Sequence, residues 1–384
     1  MEAVNYPDTP SSVFYDVVII GGGPAGCAVA VQLLRHGCTV AIIDKGSNSR
    51  FSIGETLVPE VSGVLQTVGL QNALIDCRRL PARGVISSWG SSDPEVRDFL
   101  FSPHGNGWHI DRAQFNALLL REAKRAGVDV VRNQVCRRGA ASKSGWTVTL
   151  SYGSVHPLNC TVLIDASGRE SSRATDLPAK KPLDCLIAAT FTVVPKIGIP
   201  VSDYTVIEAV DEGWFYSALV PNNLYVVAYM TDGDLYANGK RHEHCFVNRQ
   251  LAKARTTRER VDFGLKTEKL FSAKSAVRPL VATSNCLAIG DSALSCDPLS
   301  GRGVWAALKE ADQSTPLVMQ LLAGDCSGLA AYNLRHLARF NNYQMARHSY
   351  YNLEHRWSES SFWKKRQKSF QLVHSSTDDS YFLA

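Results

Sequence analysis

A glycine-rich hexapeptide near the N-terminus has the spacing of a phosphate-binding turn. It reads Gly21-Gly22-Gly23-Pro24-Ala25-Gly26, a GxGxxG pattern that follows an apolar run and opens a predicted helix. In such a turn the first glycine permits the tight reversal, the second lets the backbone approach a pyrophosphate, and the third lets helix and strand pack closely. The phosphates then meet free N–H groups at the helix N-terminus. The pattern predicts dinucleotide binding.

A carboxylate at the end of the next predicted strand supports this interpretation. Asp44 follows the apolar run Thr39–Ile43 and stands 18 residues after Gly26, where it can hydrogen-bond ribose hydroxyls. Lys45 comes directly after it and belongs to the same predicted cofactor-binding set. A glycine loop alone is a weak signal. Here strand, loop, helix and acid occur in the order that a Rossmann βαβ unit requires.

A second loop, far along the chain, could hold the rest of the same ligand. It follows the apolar run Cys286–Ile289, and its carboxylate could bind a sugar-alcohol chain. Its later glycines leave backbone N–H groups free near a helix start, where they can face an electron-rich ring edge. The alternative is an ordinary helix N-cap loop. The cofactor-binding candidates in this loop are Gly290, Asp291, Pro298, Gly301 and Gly303.

The elements that must position these loops follow from the hydrophobic periodicity. Phe14–Ile20 is apolar except for Asp16, as expected of a strand buried on both faces. Val61–Leu74 has helical spacing, and Asp111–Ala126 is a predicted helix with Asp111 as its N-cap and Gly127 as its stop. Gly54–Pro59 is a predicted turn. Further short strands are predicted at Arg83–Trp89, Asp98–Phe101, Val128–Arg132, Thr147–Leu150 and Thr161–Ile164.

After Arg169 the pattern changes to alternating segments rich in Val, Tyr and Phe, which predict an antiparallel sheet. The C-terminal third is predicted to be helical, with a polar tail from His374 and a loose leader at residues 1–13. The predicted fold is α/β: a Rossmann-type dinucleotide domain, an inserted antiparallel substrate domain and a helical C-terminus. The predicted boundaries are 14–180 with 280–325, then 80–110 with 181–279, then 326–384.

Composition excludes several classes of protein. The chain has 384 residues, of which 45% are hydrophobic and 20% charged, so a large core is expected and global disorder is not. A net charge of +5 is too small to imply nucleic-acid binding. The sequence contains neither a run of 18 apolar residues nor a secretory signal pattern. We expect a cytoplasmic protein without a membrane segment.

Ten cysteines occur without a CxxC pair and without zinc-ligand spacing. They are expected to be reduced structural thiols, consistent with the cytoplasm, and no metal site is expected. Cys296, in the second glycine loop, is the one cysteine considered for reactivity.

Both glycine loops resemble those of the FAD-dependent aromatic hydroxylase and halogenase superfamily. In that superfamily the acid corresponding to Asp291 binds the ribityl chain, and a Pro-Leu-x-Gly-x-Gly loop lies against the isoalloxazine ring. The resemblance therefore implies FAD. It also implies that Arg112 faces the phosphate and ribitol region and that the backbone at Gln134-Val135 contacts the adenine. Ile164–Arg169 and Gly54–Pro59 are similar to the superfamily's Asp-Ala-x-Gly and Gly-Glu-Ser segments.

The branch within this superfamily is indicated by two departures. Tryptophan halogenases carry a Trp-x-Trp-x-Ile-Pro motif and a lysine that handles the hypohalous species. Trp214–Pro221 has the wrong spacing for the motif, and Arg83–Gly90 contains no lysine. The chain looks more like the non-halogenating flavoproteins that mature tryptophylquinone cofactors of lysine and glycine oxidases by oxygenating a tryptophan in a precursor protein. A small-molecule aromatic hydroxylase, a halogenase and a flavin-binding scaffold for a partner enzyme remain alternatives.

Substrate-side candidates are aromatic and imidazole side chains near these segments. Aromatic walls favour an aromatic substrate by stacking, and oxygenation needs a dry pocket with a proton source. For each residue the alternative is core packing or a structural imidazole. The catalytic candidates are Trp89, His104, His109 and Trp214, with Trp108 and Tyr216 as further wall candidates.

The last candidate feature is the basic, aromatic stretch Arg335–Lys368. It is either an amphipathic helix packed on the flavin domain or a docking surface for an acidic precursor protein of a quinone-dependent oxidase. A second GxGxxG unit is not visible, so NAD(P)H or reduced flavin is expected to be supplied transiently.

Overall fold

The structure is a computed structural model of the chain that describes residues 13–46, 54–142, 145–151, 157–171, 173–242, 246–261 and 269–368. The predicted leader up to residue 12 and the predicted tail from His374 lie outside these ranges.

The described residues alternate between strands and helices over most of their length. The strands are β1 Phe14–Ile20, β2 Val40–Asp44, β3 Thr56–Leu57, β4 Arg79–Ala82, β5 Gly84–Ser88, β6 Glu95–Asp98, β7 Gly107–Ile110, β8 Asp129–Arg132, β9 Cys136–Ser142, β10 Gly145–Leu150, β11 Leu158–Asp165, β12 Lys181–Pro182, β13 Leu186–Val193, β14 Tyr204–Val210, β15 Gly213–Val220, β16 Leu224–Asp232, β17 Lys269–Ser272, β18 Ala276–Val277, β19 Cys286–Ala288 and β20 Leu294–Ser295. The α-helices are α1 Pro24–Arg35, α2 Val61–Val68, α3 Gln71–Ile75, α4 Arg112–Ala126, α5 Gly233–His242, α6 Phe246–Lys253, α7 Arg255–Arg258, α8 Gly303–Leu322, α9 Leu329–Asn352 and α10 Ser361–Gln367. Short 3-10 turns lie at Gly168–Glu170, Gly290–Ser292 and Pro298–Ser300.

The first seven-stranded sheet has the order β8-β2-β1-β11-β10-β9, and β19 also pairs with β11. The pairs that join β8, β2, β1, β11 and β19 are parallel. The carboxyl ends of these strands therefore meet at one edge of the sheet, which is where ligands bind in open α/β sheets. Helices α1, α4 and α8 cover this sheet and share its main hydrophobic core.

The second seven-stranded sheet has the order β17-β13-β16-β15-β14-β5-β6. It is antiparallel as predicted except for one pair, because β14 and β5 run parallel. Alternating side chains supply two cores: Phe215 and Tyr229 pack on one face with α6, and Trp214 and Met230 pack on the other. The predicted α/β class, with an inserted β-sheet and a helical C-terminus, is confirmed.

Three local predictions need correction. Val61–Leu74 is not one helix, because Gly69 adopts the left-handed conformation at φ 78° and separates α2 from α3. The strand predicted at Asp98–Phe101 ends at Asp98, where β5 stops pairing with it. The turn at Gly54–Pro59 contains the short strand β3, which pairs with β7.

The helix α4 shows how a local signal sets an element. The Asp111 side chain accepts a hydrogen bond from the Gln114 backbone N–H at 3.0 Å, and Gly127 ends the helix at φ 113°. Both features agree with the predicted cap and stop. No helix in the described ranges is long and apolar enough to cross a membrane.

Candidate functional site

A cavity of about 820 Å³ joins the carboxyl edge of the first sheet to one face of the second. Ile20, Asp44 and Ala166 line it at the ends of β1, β2 and β11, and Ala188 and Trp214 line it from the second sheet. This volume lies within the range of about 300–1,000 Å³ that is usual for ligand and cofactor sites. The side of the cavity at the first sheet and the side at the second sheet are formed by different parts of the chain.

The first glycine loop borders this cavity. Each of its three motif glycines is required for a different reason: backbone conformation, close packing or space for a ligand. Gly21 has φ 109°, and a Cβ there would lie 2.4 Å from the Ala166 carbonyl oxygen. A Cβ at Gly26 would lie 2.0 Å from the Gly21 carbonyl oxygen, so this residue is needed for packing and does not line the cavity. A Cβ at Gly23, by contrast, would meet no atom within 4 Å. Open space therefore faces the start of α1, as a bound pyrophosphate requires.

Asp44 braces the loop and borders the cavity. Its Oδ2 accepts the Gly22 backbone N–H at 3.1 Å, and its Oδ1 accepts that of Gly46 at 2.9 Å. Lys45 also lines the cavity, where its ammonium pairs with Glu170 at 2.6 Å. Pro24 and Ala25 complete this wall.

Two further predicted contacts lie along the same wall. Arg112, the first residue of α4, lines the cavity, and its Nε donates to the Asn116 side chain at 3.1 Å. Val135 also lines it, but its backbone N–H donates to Ser151 Oγ at 3.1 Å and its carbonyl accepts the Ser151 N–H. The adenine contact predicted for the Val135 backbone stays a prediction.

The second glycine loop closes the cavity on the other side. Asp291, Pro298, Gly301 and Gly303 all line it. Cβ atoms at the two glycines would meet nothing within 4 Å, so their backbone is open to a ligand. Gly290 does not line the cavity: its N–H donates to Glu310 Oε2 at 2.7 Å, and it packs against Ala25.

A lysine that sequence reasoning missed ties this loop to the first sheet. Lys180 Nζ donates to the carbonyl oxygens of Arg169 and Asp291 at 2.8 and 2.7 Å and to Ser295 Oγ at 2.7 Å. Burial lowers the pKa of Lys180 to about 8. Arg169 in turn lies 3.3 Å from the Asp291 carboxylate. The local sequence around Lys180 carries no signal for these contacts.

The wall from the second sheet is aromatic because of strand alternation. Trp214 and Tyr216 are two residues apart in β15, so both side chains reach the cavity while Phe215 packs on the opposite face. Ala188 and Trp214 are both register partners of Met230, which places one row of side chains across three strands. The Trp214 indole N–H donates to the Tyr351 hydroxyl at 3.2 Å.

Of the four catalytic candidates, the structure brings only Trp214 to the described lining of the cavity. Trp89 packs edge-to-face behind it, with ring centroids 6.2 Å apart. His109 is fully buried, its Nε2 lies 3.0 Å from Thr205 Oγ1, and burial lowers its pKa to about 3. His104 lies on an exposed turn away from the lining.

The two further wall candidates, Trp108 and Tyr216, also differ in whether they line the cavity. Trp108 is half-buried, and the guanidinium of Arg79 lies 4.8 Å from its ring centroid. It does not line the cavity, whereas Tyr216 does.

A buried carboxyl, Glu55, was not among the predicted site residues although its segment was noted. It is 2% exposed and follows Gly54, whose N–H donates to Glu55 Oε2 at 3.1 Å. Burial raises the pKa of Glu55 to about 7, against the opposing effects of backbone N–H groups and of the Arg112 charge. Its neighbours Thr56 and Tyr216 line the cavity. The site thus holds a group that titrates near neutrality.

The basic C-terminal stretch packs against the molecule rather than standing free. Arg339 pairs with Glu310, Arg347 with Asp184 and Asp297, and Arg366 with Asp232. Arg356, Lys364 and Lys365 also have acidic partners within the chain. Since these charges are already compensated, the packed-helix alternative fits this stretch better than a basic docking surface.

The second glycine loop depends on this packing. The Tyr351 hydroxyl donates to Asp297 Oδ2 at 2.8 Å, and the Asp297 N–H donates to the Tyr343 hydroxyl at 2.9 Å. Helix α9 therefore holds the loop that borders the cavity.

The described cysteines are free thiols. Cys296 lines the cavity, but burial raises its pKa to about 12, which keeps it a thiol rather than a reactive thiolate. Cys185, Asp232 and Asp234 approach one another within 4.8 Å. Lys365 donates to both of these carboxylates, so the group is an ion-pair cluster.

Two family models match the chain. The model for "Tryptophan halogenase" matches residues 94–378, and the model for "FAD dependent oxidoreductase" matches residues 16–52. Together they include both glycine loops and the second sheet except for β5.

Two curated relatives match over almost the whole chain. "Putative FAD-dependent oxidoreductase LodB" of Marinomonas mediterranea is 28% identical over 94% of this chain and 99% of its own. "Tryptophan 2-halogenase" of Chondromyces crocatus is 26% identical over 93% of this chain and 71% of its own.

Two solved structures share the fold. The chondrochloren halogenase CndH, a myxobacterial enzyme, superposes with a TM-score of 0.80 at 21% identity, over 96% of this chain and 88% of its own. The peptidyl tryptophan dihydroxylase QhpG, described as essential for tryptophylquinone cofactor biogenesis, superposes with a TM-score of 0.70 at 22% identity, over 96% of this chain and 82% of its own.

Proposed function

The chain belongs to the tryptophan halogenase family, and on that premise we propose that it is a non-halogenating member that oxygenates an indole. The coarser assignment is firm: the protein is an FAD-dependent oxidoreductase. The proposed substrate is a tryptophan in a precursor protein, oxidised towards a tryptophylquinone cofactor.

The observation that carries this proposal is the composition of the cavity wall. Trp214 and Tyr216 supply an aromatic surface for an indole, while the sequence contains no lysine between Lys45 and Lys124. Lys45 itself lies beside the first glycine loop and is paired with Glu170. The ammonium group that halogenases use is therefore missing from the stretch where their lysine is expected.

The relatives support the same choice. LodB matches over nearly its full length and is described as an oxidoreductase, while the tryptophan 2-halogenase extends beyond the matched region. QhpG shares the fold and acts on peptidyl tryptophan. From these we propose a protein-borne tryptophan as the substrate of this chain.

The residues present fit FAD. Gly21–Ala25 would face the pyrophosphate, Asp44 the ribose, Arg112 and Asp291 the ribitol region, and Gly301 and Gly303 the isoalloxazine ring. Reduced FAD with oxygen supplies the oxygenating chemistry when it is bound. The electron donor proposed is NAD(P)H or reduced flavin that binds transiently.

The chain's own contribution is to position the indole and to keep water out. Trp214 is 1% exposed and held by Tyr351, so its ring is a rigid platform for stacking. Met230 and Ala188 make the adjoining surface apolar. Orientation of this kind lowers the entropic cost of reaction.

Recognition of the precursor protein is proposed to involve the rim of the cavity rather than the basic C-terminal stretch, whose charges are paired within the chain. We also propose a cytoplasmic setting, which the free described cysteines support.

The test is incubation of the FAD-loaded protein with reductant, oxygen and the precursor subunit of a tryptophylquinone-dependent oxidase, followed by mass spectrometry of the subunit. We expect added oxygen on one tryptophan and little turnover of free tryptophan, because contacts with the rest of the precursor are then lost. Bromide is included in a parallel reaction and should leave tryptophan and indole unbrominated.

Each alternative predicts a different product. A reproducible bromo-product would identify a halogenase, to which the family membership and the fold of CndH point. Rapid turnover of free tryptophan or of a phenol would identify a small-molecule hydroxylase. A flavin-binding scaffold would bind the partner without oxygen consumption coupled to a modified substrate.

A further inference from the structure

Glu55 does not line the cavity itself but lies directly behind its wall, between Gly54 and Thr56, which both line it. It directly follows Gly54, whose carbonyl accepts Arg112 Nη1 at 3.5 Å, and it directly precedes Thr56 at the substrate wall. Its Oε1 is buried and, among the described residues, makes no hydrogen bond of ordinary geometry, although the Tyr216 side chain lies close enough to interact with the carboxyl. A buried carboxyl oxygen without a hydrogen bond lowers the stability of the folded protein. Such a group calls for an explanation, and a catalytic role is one of them.

A row of hydroxyl groups lies along the wall beside Glu55. The Tyr216 hydroxyl lies 2.8 Å from Thr56 Oγ1, which lies 2.9 Å from Thr205 Oγ1. Thr205 Oγ1 in turn lies 3.0 Å from His109 Nε2. Each of these hydroxyls can donate and accept at once. Tyr216 and Thr56, which line the cavity, are therefore joined through Thr205 to the buried His109 ring, and Tyr216 also lies beside the Glu55 carboxyl.

The groups around Glu55 determine how it can act. Arg112 faces it from α4, with Asp291 also near that guanidinium, and Tyr216 faces it from β15. Burial raises the pKa of Tyr216 well above its ordinary value, and the neighbouring Glu55 charge raises it further. At the far end His109 stays neutral, because burial and the Arg260 charge lower its pKa to about 3.

We propose that the Tyr216 hydroxyl is the proton-transferring group that touches the indole and that Glu55 acts through it, accepting the proton that Tyr216 passes on. This inference rests on the proposed oxygenation. It assigns the acid–base work of the cavity to Tyr216 and Glu55, neither of which was predicted as catalytic from the sequence.

One oxygenation replaces the hydrogen on one indole carbon by a hydroxyl group. The indole carbon gains one oxygen atom of O2 and loses its hydrogen as a proton, and the electron pair of that C–H bond restores the ring. The proton passes to the Tyr216 oxygen while the Tyr216 proton moves to the Glu55 carboxylate. The second oxygen atom leaves as water, with two electrons from the reductant and two protons from the reductant and solvent, and the oxygen bound to carbon takes one further proton from solvent to form the hydroxyl group. Tyr216 ends unchanged, and Glu55 later releases its proton to solvent.

The first experiment observes the carboxyl directly, without turnover. Infrared difference spectra of the FAD-loaded protein are recorded across a pH titration, for the parent, Glu55→Gln and Tyr216→Phe. We expect a protonated-carboxyl band that titrates with a midpoint near the pKa of about 7, is absent in Glu55→Gln and shifts in Tyr216→Phe. Glu122→Gln, which changes another largely buried carboxyl outside the cavity lining, should keep the band.

The second experiment measures the pH dependence of precursor oxygenation. In the parent, kcat should rise with pH through the Glu55 midpoint, because the base must be the carboxylate. General acid–base groups typically contribute about 100-fold or more, so Tyr216→Phe should lower kcat by about that factor with little change in KM. Glu55→Gln should flatten the profile. Tyr332→Phe, which removes another buried hydroxyl away from the lining, should retain the parent profile.

The outcomes separate this inference from the proposed function. Parent-like pH profiles in folded Glu55→Gln and Tyr216→Phe would overturn the inference and leave the oxygenase assignment standing. If Glu55→Gln does not fold, the absence of a titrating band in the parent, or of its shift in Tyr216→Phe, would overturn it equally. A titrating, Tyr216-dependent band in a protein that oxygenates no protein-borne tryptophan would overturn the proposed function but support the proton pair.

Discussion

The two ends of the cavity are built in different ways. The cofactor end depends on exposed backbone: Gly21–Gly23 and the glycines at 301 and 303 approach the cavity without side chains. The substrate end is made of side chains from three strands, with Trp214 held by Tyr351 from a helix more than a hundred residues away. The conformation of the glycine loops at the cofactor end is set by residues close together in the sequence. The position of the aromatic side chains at the substrate end is set by packing between residues far apart in the sequence.

The C-terminal helices connect these two ends. Tyr351 accepts the Trp214 N–H and donates to Asp297 in the second glycine loop. The same helices carry Phe362 and Trp363 into the core of the second sheet. We infer that the integrity of the substrate end depends on contacts between residues far apart in the chain, whereas that of the cofactor end depends on neighbouring residues.

The largest expected effect is on folding at the substrate end. Arg366 and Asp232 form a pair in which both side chains are 1% exposed. Arg366→Met should lower the free energy of unfolding by about 3–5 kcal/mol, because it leaves a buried carboxylate short of a partner. Urea titration followed by tryptophan fluorescence measures the loss.

Lys364→Met is the matched control, since Lys364 pairs with Glu359 at the exposed surface. It should cost less than about 1 kcal/mol. Equal losses in both variants would mean that the C-terminal pairing does not support the second sheet.

At the cofactor end, Gly23→Val should weaken FAD binding while leaving the fold intact. The new side chain enters space that is open in the structure and that the pyrophosphate needs. Overpacking of about 1–3 kcal/mol corresponds to a loss of affinity of roughly 5- to 150-fold. Flavin fluorescence titration measures it.

Gly63→Val is the control for this substitution, because a Cβ at Gly63 on α2 also meets nothing within 4 Å but lies away from the cavity. If Gly23→Val bound FAD as tightly as the parent, the pyrophosphate would not lie beside Gly23.

Acid sensitivity should arise from two buried histidines, with a wider pH window for His109, which contacts Thr205, than for His336 of α9, whose Nε2 lies 3.0 Å from the Arg278 carbonyl oxygen. His109 has a pKa of about 3 and His336 one of about 4, both lowered mainly by burial. The unfolded chain binds these protons near pH 6.5, so stability falls as pH drops from there towards each folded pKa, by about 1.4 kcal/mol per pH unit for each group.

At a pH of about 5, His109→Gln and His336→Gln should each remove roughly 2 kcal/mol of this acid-induced loss relative to neutral pH. Below the His336 pKa of about 4, only the His109 contribution should still grow. Unfolding curves at several pH values measure it. An unchanged pH slope in His109→Gln would contradict a buried neutral imidazole there.

The smallest effect tests the aromatic wall. If the proposed substrate stacks on Trp214, Trp214→Phe should raise KM for the precursor by up to about 10-fold, since such ring contacts are worth about 0.5–1.5 kcal/mol. FAD content should not change. Trp89→Phe, which changes a ring behind the wall, should affect KM less. A larger effect for Trp89 would place the substrate elsewhere.

The features that the sequence by itself determined are those with short-range causes. The strand, glycine loop and helix at Phe14–Arg35 and the capped helix at Arg112–Ala126 follow from residues within a few positions of one another. The resemblance to FAD enzymes rested on the same local motifs. Such features are predictable because backbone conformation and capping respond to neighbouring residues.

Tertiary structure alone decided which aromatic and titratable side chains reach the cavity. Trp89 and Trp214 were equal candidates by sequence, yet only Trp214 lines the described site, because strand register places it there. The neutral pKa of Glu55 and the internal pairing of Arg366 likewise depend on burial by distant segments. Burial and charge compensation are properties of packing between segments far apart in the chain, and local sequence patterns do not encode them.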